Sequence, residues 1–259
     1  MEEKRRRTKV KEKILQTLQE LEQENNVKIL FAVEAGSRAW GFASQDSDYD
    51  VRFLYVRSKE DYLRLNPMRD VIERPVHDAL DVNGWDLRKA LCLLYKSNPT
   101  LLEWFTSPIV YRKTDFAGQL QDLLPDYFNA EKSFFHYLNM AEGNYQAYLR
   151  KDFVRVKKYF YVLRPMLACK WVLEKKTMPP VRFAELAAEL LPNELQNTVQ
   201  DILNLKTQSK EVEEIPKNNV LNDYIQTQLA ALRRQGSGKT PKTSKSWSKL
   251  NAAFLSVIQ

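Results

Sequence analysis

Histidine, cysteine and long apolar runs are nearly missing from this chain of 259 residues. Its two histidines, His77 and His136, stand far apart, which leaves too little imidazole for a His-based metal centre or hydrolase site. The two cysteines, Cys92 and Cys169, fall in "ALCLLY" and "MLACKW". Both runs read as apolar helix faces, so buried thiols are expected in place of a disulfide framework or a metal cluster. No stretch approaches the about 18 apolar residues of a membrane span, and no apolar core of secretory length follows the basic start MEEKRRRTKVKEKI. A cytoplasmic protein without membrane contact is expected.

What the chain has in quantity is positive charge. Forty Lys and Arg against 33 Asp and Glu give a formal charge of +7 and a pI near 9.2, which favours a polyanionic partner: nucleotide, RNA or DNA. A hydrophobic fraction of 44% with 28% charged residues is that of a soluble globular protein, and the length allows two domains.

The pattern along the chain changes near Arg112. Before it, Ile14, Leu15, Leu18 and Leu21 recur at helical spacing between Lys11 and Glu24. "VKILFAVEAG", "YDVRFLYVR" and "DALDVNG" then read as strands, with Leu80 and Val82 on one face and Asp81 on the other. Asp86 reads as the N-cap of a helix through "LRKALCLLYKSN", and "SNPTLLEWFTSPIVY" as a turn, a short helix and a last strand near Ile109. The expectation is an α+β protein: residues 1–112 form a small mixed-sheet domain and residues 113–259 a helical one. Gly143 is the only glycine between Gly118 and Gly236, and Pro125, Pro165, Pro179, Pro180, Pro192 and Pro216 mark turns or kinks. A basic flexible linker is expected near 233–249, carrying Arg233, Arg234, Lys239, Lys242, Lys245 and Lys249. Its Gly238, Lys239 and Thr240 mimic the end of a P-loop, but Arg233 stands where the first glycine belongs, no apolar strand precedes, and Pro241 opposes a following helix.

The chemistry is concentrated in "EAGSRAWGFASQDSDYDVRF", residues 34–53. A calcium loop starting at Asp46 would need Gly where Val51 stands and Glu where Arg57 stands, so that reading fails twice. Asp48 and Asp50, two apart at the start of an extended segment, project from one face and repel unless a cation lies between them. Hard oxygen ligands beside a phosphate substrate specify Mg²⁺ or Mn²⁺ over Zn²⁺. Asp46, nearer the turn, reads as a turn-stabilising residue. At Gly36 the chain leaves a strand; glycine permits close approach of the backbone to a ligand, with amides and the Ser37 hydroxyl available to phosphate oxygens.

"GS" at 36 and 37 followed by "DYDV" at 48 to 51 resembles the signature of the DNA polymerase β superfamily of nucleotidyltransferases. With "DVNGWDLRKAL", "KSNPTLLEWFTSPIVY" and "KKYFYVLRPML", the chain is similar to the RNA-repair-pathway DNA polymerase β-like branch. The resemblance implies a palm-like sheet on which three carboxylates hold two metal ions, Asp48 and Asp50 supplying the first two. For the third, Asp81 lies on a strand opposite apolar neighbours, whereas Asp86 reads as a helix cap and Asp78 sits at the strand edge. It further implies an NTP substrate held by Gly36 and Ser37, with Arg38 adding charge. In the helical half, Lys157, Tyr161 and Arg164 share one face, beside Lys158, and could contact the nucleotide or its acceptor; a packed Tyr with solvated charges is the alternative. Trp85, Trp104 and Trp171 read as core. The expected activity is metal-dependent transfer of a nucleoside monophosphate from an NTP to a hydroxyl, by analogy at an RNA end. A protein or small-molecule acceptor, or a non-catalytic nucleic-acid-binding protein, are the competing readings.

Overall fold

The computed structural model describes residues 2–208, 213–236 and 245–258. The first half runs α1 (Glu2–Asn25), β1 (Lys28–Glu34), α2 (Gly36–Trp40), β2 (Tyr49–Val56), α3 (Lys59–Tyr62), β3 (Val71–His77), β4 (Leu80–Asp86), α4 (Leu87–Tyr95), α5 (Pro99–Phe105) and β5 (Val110–Lys113). The strands form one mixed sheet in the order β3-β4-β2-β1-β5; β2 and β4 are parallel, and the other neighbours antiparallel. Alternation places the side chains as the sequence suggests: Leu80 and Val82 are buried towards α1, and Asp81 points to the opposite face. Ile14, Leu18 and Leu21 of α1 cover the first face. Asp86 caps α4 by accepting from the Arg88 amide at 2.8 Å, and Asn98 caps α5 with Pro99 in its first turn. The strand β3 is absent from the sequence reading, because in "VIERPVH" only Ile72 is buried and no alternation marks this Pro-containing edge.

The rest comprises α6 (Asp115–Asp122), α7 (Leu124–Tyr127), α8 (Ala130–Tyr148), β6 (Phe153–Arg155), α9 (Val156–Lys175), α10 (Phe183–Leu190), α11 (Asn193–Gln208), β7 (Glu214–Pro216), α12 (Asn219–Gln235) and α13 (Ser248–Val257). Helices dominate as expected, with one addition: β6 and β7 pair as a short antiparallel ribbon. The helical core is built around α9, which continues through Pro165 and buries residues on nearly all sides. Helices α6, α7 and α13 pack instead with α4 and α5 on the second face of the sheet. Of the segment read as a linker, Arg233 and Arg234 belong to α12 and Lys249 to α13, where it pairs with Asp126 at 2.5 Å. The linker reading is corrected at both ends: apolar residues on either side, Leu232 and Leu250, are buried and hold those turns as helix. Gly238, Lys239, Thr240, Pro241 and Lys242 lie outside the described residues. Among the described residues no helix is long and apolar enough to cross a membrane.

The two halves meet where the chain leaves β1. Phe42, just past α2, enters the helical core against Phe160 at 5.0 Å and Phe183 at 6.0 Å, and Trp40 meets Tyr161 edge-on at 5.8 Å. These aromatic contacts fix α2, and with it the start of the motif, against α9.

Candidate active site

Gly36 occupies the left-handed region at φ +59°, and a Cβ there would lie 2.0 Å from Asp50 Oδ2. Only glycine therefore lets the turn after β1 pass over the Asp50 carboxylate. The Ala35 amide donates to the Asp50 carbonyl at 2.8 Å, and the Asp50 amide donates to Glu34 Oε1 at 2.7 Å, so the end of β1 grips Asp50 by its own backbone. Glu34 is fully buried, also accepts from the Tyr111 hydroxyl, and is pushed up to about 7 by that burial, against its hydrogen bonds.

Parallel pairing of β2 with β4 puts Asp50 directly beside Asp81. The cation that two adjacent carboxylates require is present: Arg52 Nη2 lies 3.0 Å from Asp50 Oδ1 and 2.7 Å from Asp81 Oδ2, and Nη1 donates to the Asp81 carbonyl at 2.9 Å. Burial raises the Asp50 carboxyl above its ordinary range; Arg52 opposes this, and the charges of Asp81 and Asp48 add to it. Asp48 is exposed and stands immediately before β2. Its backbone is tied down: Arg38 Nε donates to the Asp48 carbonyl at 3.0 Å and Nη2 to the Ser47 carbonyl at 2.5 Å, with the guanidinium 3.7 Å from the Tyr49 ring centroid. Beneath this loop, buried Lys206 of α11 donates to Ser44 Oγ at 2.7 Å, and Ser44 and Ser47 Oγ are 2.9 Å apart.

A cleft of about 460 Å³ opens beside the Asp50–Asp81 pair. Gly36, Arg52 and Asp81 lie on its sheet side; Trp40 and Trp85 supply aromatic walls, and His136, Met140 and Arg164 close it from the helical half. Arg164 is almost wholly buried, donates through Nη1 to Glu103 and through Nε to the Val181 carbonyl, both at 3.1 Å, and stacks over Trp40 at 4.6 Å. Its Nη2 has no hydrogen-bond partner. Burial pushes the His136 imidazole down, partly offset by Glu103.

Of the residues singled out from sequence, Asp48, Asp50, Gly36, Ser37 and Arg38 gather at one end of β2; Gly36, Asp81 and Arg164 line the cleft, whereas Ser37, Arg38, Asp48 and Asp50 stand beside it. Asp86 is spent as the α4 cap, and Asp78 pairs with Lys13 at 2.7 Å on the far edge. Lys157 and Tyr161 do not line the cleft; Tyr161 supports Trp40, and Lys158 lies 3.6 Å above the Tyr148 ring. Trp104 is core, but Trp85, tilted against it with ring centroids 4.0 Å apart, is half-buried and faces the cleft, and Trp171 is half-buried with its indole donating to Thr177. The sequence reading missed Glu34, Arg52 and His136. Two had a signal: a carboxylate closing an otherwise apolar strand, and a cation continuing the even spacing of Asp48 and Asp50.

Among the described residues no three His, Cys, Asp or Glu groups are gathered tightly enough to hold a metal ion as they stand. The donor set nevertheless suits a hard divalent cation, since two carboxylate oxygens already converge within 3.0 Å of one cationic nitrogen.

A glycine turn passing over one strand carboxylate, a second carboxylate before it and a third on the parallel neighbour define a polymerase-β-like nucleotidyltransferase arrangement. The family comparison agrees: the model of the RNA repair pathway DNA polymerase beta family matches residues 10–256, and the chain belongs to that family. It is 44% identical over 252 residues to the uncharacterized protein YcgL of Bacillus subtilis (strain 168), covering 96% of this chain and 97% of that one. A solved nucleotidyltransferase-like protein from Exiguobacterium sibiricum 255-15 aligns over 89% of this chain and 83% of its own, at 14% identity and a TM-score of 0.27.

Proposed function

We propose that the protein is a metal-dependent nucleotidyltransferase that moves a nucleoside monophosphate from an NTP to a hydroxyl at an RNA end. The observation that carries this reading is the lateral pairing of Asp50 with Asp81 beneath the Gly36 turn. Asp48, Asp50 and Asp81 would hold Mg²⁺ or Mn²⁺, with Arg52 moving aside from the two strand carboxylates. The metal, when bound, supplies charge neutralisation to the triphosphate and acidifies the acceptor hydroxyl. The acceptor oxygen bonds to the α-phosphorus as the bond to the bridging oxygen breaks and pyrophosphate leaves, and Asp81 takes the hydroxyl proton. Ser37 and the Gly36 turn hold the triphosphate, Arg38 keeps Asp48 in place, and the free Nη2 of Arg164 offers a charged donor to an anionic substrate.

The helical wall bears on the acceptor. On this wall the one carboxylate, Glu103, is paired with Arg164 at 3.1 Å, which leaves no unpaired negative charge there for a cationic small molecule and favours an anionic chain. The test is transfer of α-phosphate label from each of the four NTPs, with Mg²⁺ or Mn²⁺, to RNA, DNA, protein and aminoglycoside acceptors. Label on RNA is expected from the parent and is expected to vanish in Asp48→Asn, Asp50→Asn. Label on another acceptor would replace the RNA-end reading, and absence of nucleotide binding would sink the catalytic one.

A further inference from the structure

The carboxyl ends of the parallel strands β2 and β4 carry a second groove, which the chemistry above does not use. Arg57 stands seven positions beyond Asp50, roughly 23 Å away along extended chain. There the connection from α3 to β3 crosses the start of α4 and encloses 700 Å³.

The groove is strongly cationic. Arg57, Arg64, Arg69, Arg88, Lys89 and Lys96 line it, against three carboxylates. Each carboxylate already has a cation: Asp86 with Arg57 at 4.0 Å, Asp61 with Arg64 at 3.4 Å and Asp70 with Lys89 at 3.0 Å. Arg69 turns to Glu73 outside the groove. Arg88, in the first turn of α4, and Lys96, its C-cap, are both exposed and have no carboxylate partner among the described residues. At the floor, the Arg57 side chain is 8% exposed and its buried Nε makes no hydrogen bond. The excess positive charge therefore calls for an anion. Against six cations the lining offers a single aromatic ring, Tyr62, which packs in a T-shaped contact with Phe254 at 4.9 Å and donates its hydroxyl to Asp86 at 3.0 Å. That favours a backbone over a mononucleotide.

We propose that this groove binds the phosphodiester backbone of a single-stranded RNA whose end occupies the cleft, with Arg88 and Lys96 contacting phosphates. The occupant, though not the charge, rests on the RNA-end reading above. At a stacked spacing of about 3.4 Å per nucleotide, 23 Å is about seven nucleotides, so short acceptors reach the cleft without touching the groove.

The test is fluorescence anisotropy of labelled single-stranded RNAs of about 4 and about 20 nucleotides on the full chain, without NTP, against the double variant Arg88→Gln, Lys96→Gln. The long RNA is expected to bind the variant at least about tenfold more weakly, with a log–log salt slope shallower by about 1.4, while the short RNA binds both proteins alike. Unchanged affinity and slope for the long RNA in a variant of normal circular dichroism would overturn the site. So would an equal weakening of the short RNA in the variant, because the two cations would then act within reach of the cleft and not along a groove beyond it. Label transfer to the short RNA is measured in parallel. Its failure in both proteins would count against the catalytic reading and leave the binding comparison standing.

Discussion

At the scale of single residues, the site depends on how closely one backbone passes one carboxylate. Gly36→Ala places a methyl group within 2.0 Å of Asp50 Oδ2 at a positive φ. The expected cost is about 1–3 kcal/mol in stability. Displacing Asp50 is expected to lower kcat by about 100-fold with the fold retained. Near-parental label transfer by a folded Gly36→Ala protein would show that Asp50 does not need this position. Glu34 gives a pH signature. Its folded value of about 7 lies above the ordinary carboxylate value, so the folded state holds the proton more tightly than the unfolded chain does. Its stability contribution is full below about pH 4.5 and is lost as pH rises through 7, at most about 3 kcal/mol. In EDTA, urea midpoints of the parent are expected to fall between pH 5 and 8 more steeply than those of Glu34→Gln; parallel curves would remove Glu34 as the cause.

At the scale of elements, the loop before β2 is held from two sides, by Arg38 from α2 and by Lys206 from α11. Lys206→Met keeps the stem of the side chain and removes its bond to Ser44. A loss of about 10- to 100-fold in kcat is expected with little change in helix content, as for other residues acting through a ligand's support. Unchanged kcat would make Lys206 a structural anchor only. This tie was illegible in the sequence, since Lys206 and Ser44 are 162 positions apart and "NLKTQ" reads as a solvated helix end. The strands β1 and β2 were legible as short runs rich in β-branched and aromatic residues, and β4 by its alternation, which set Asp81 on the face opposite Leu80 and Val82. Arg52 could be seen but not assigned, because its role follows from the pairing of β2 with β4, and spacing within one strand cannot supply that pairing. The same limit explains Arg164. Helical spacing grouped it with Lys157 and Tyr161, but the fold carries Arg164 to the cleft and leaves the other two behind the wall.

At the scale of the whole molecule, the cleft lies between two cores joined through Trp40 and Phe42. The sheet's own core is completed from far along the chain: Leu250 of α13 is 1% exposed within it, and Trp247 stacks on Tyr95 at 3.8 Å. Leu250→Ala is expected to cost about 2–5 kcal/mol, read as a lowered urea midpoint. A cost well below 1 kcal/mol would mean that α13 is only loosely seated.

That placement of α13 also bears on synthesis. A chain emerging from the ribosome can pair its five strands early, yet the face under α4 and α7 stays open to solvent until the residues around Leu250 have been made. During that interval the nascent protein exposes an apolar surface that the finished molecule hides. Chaperone dependence during translation, more than thermal stability afterwards, is where the late arrival of α13 would be felt.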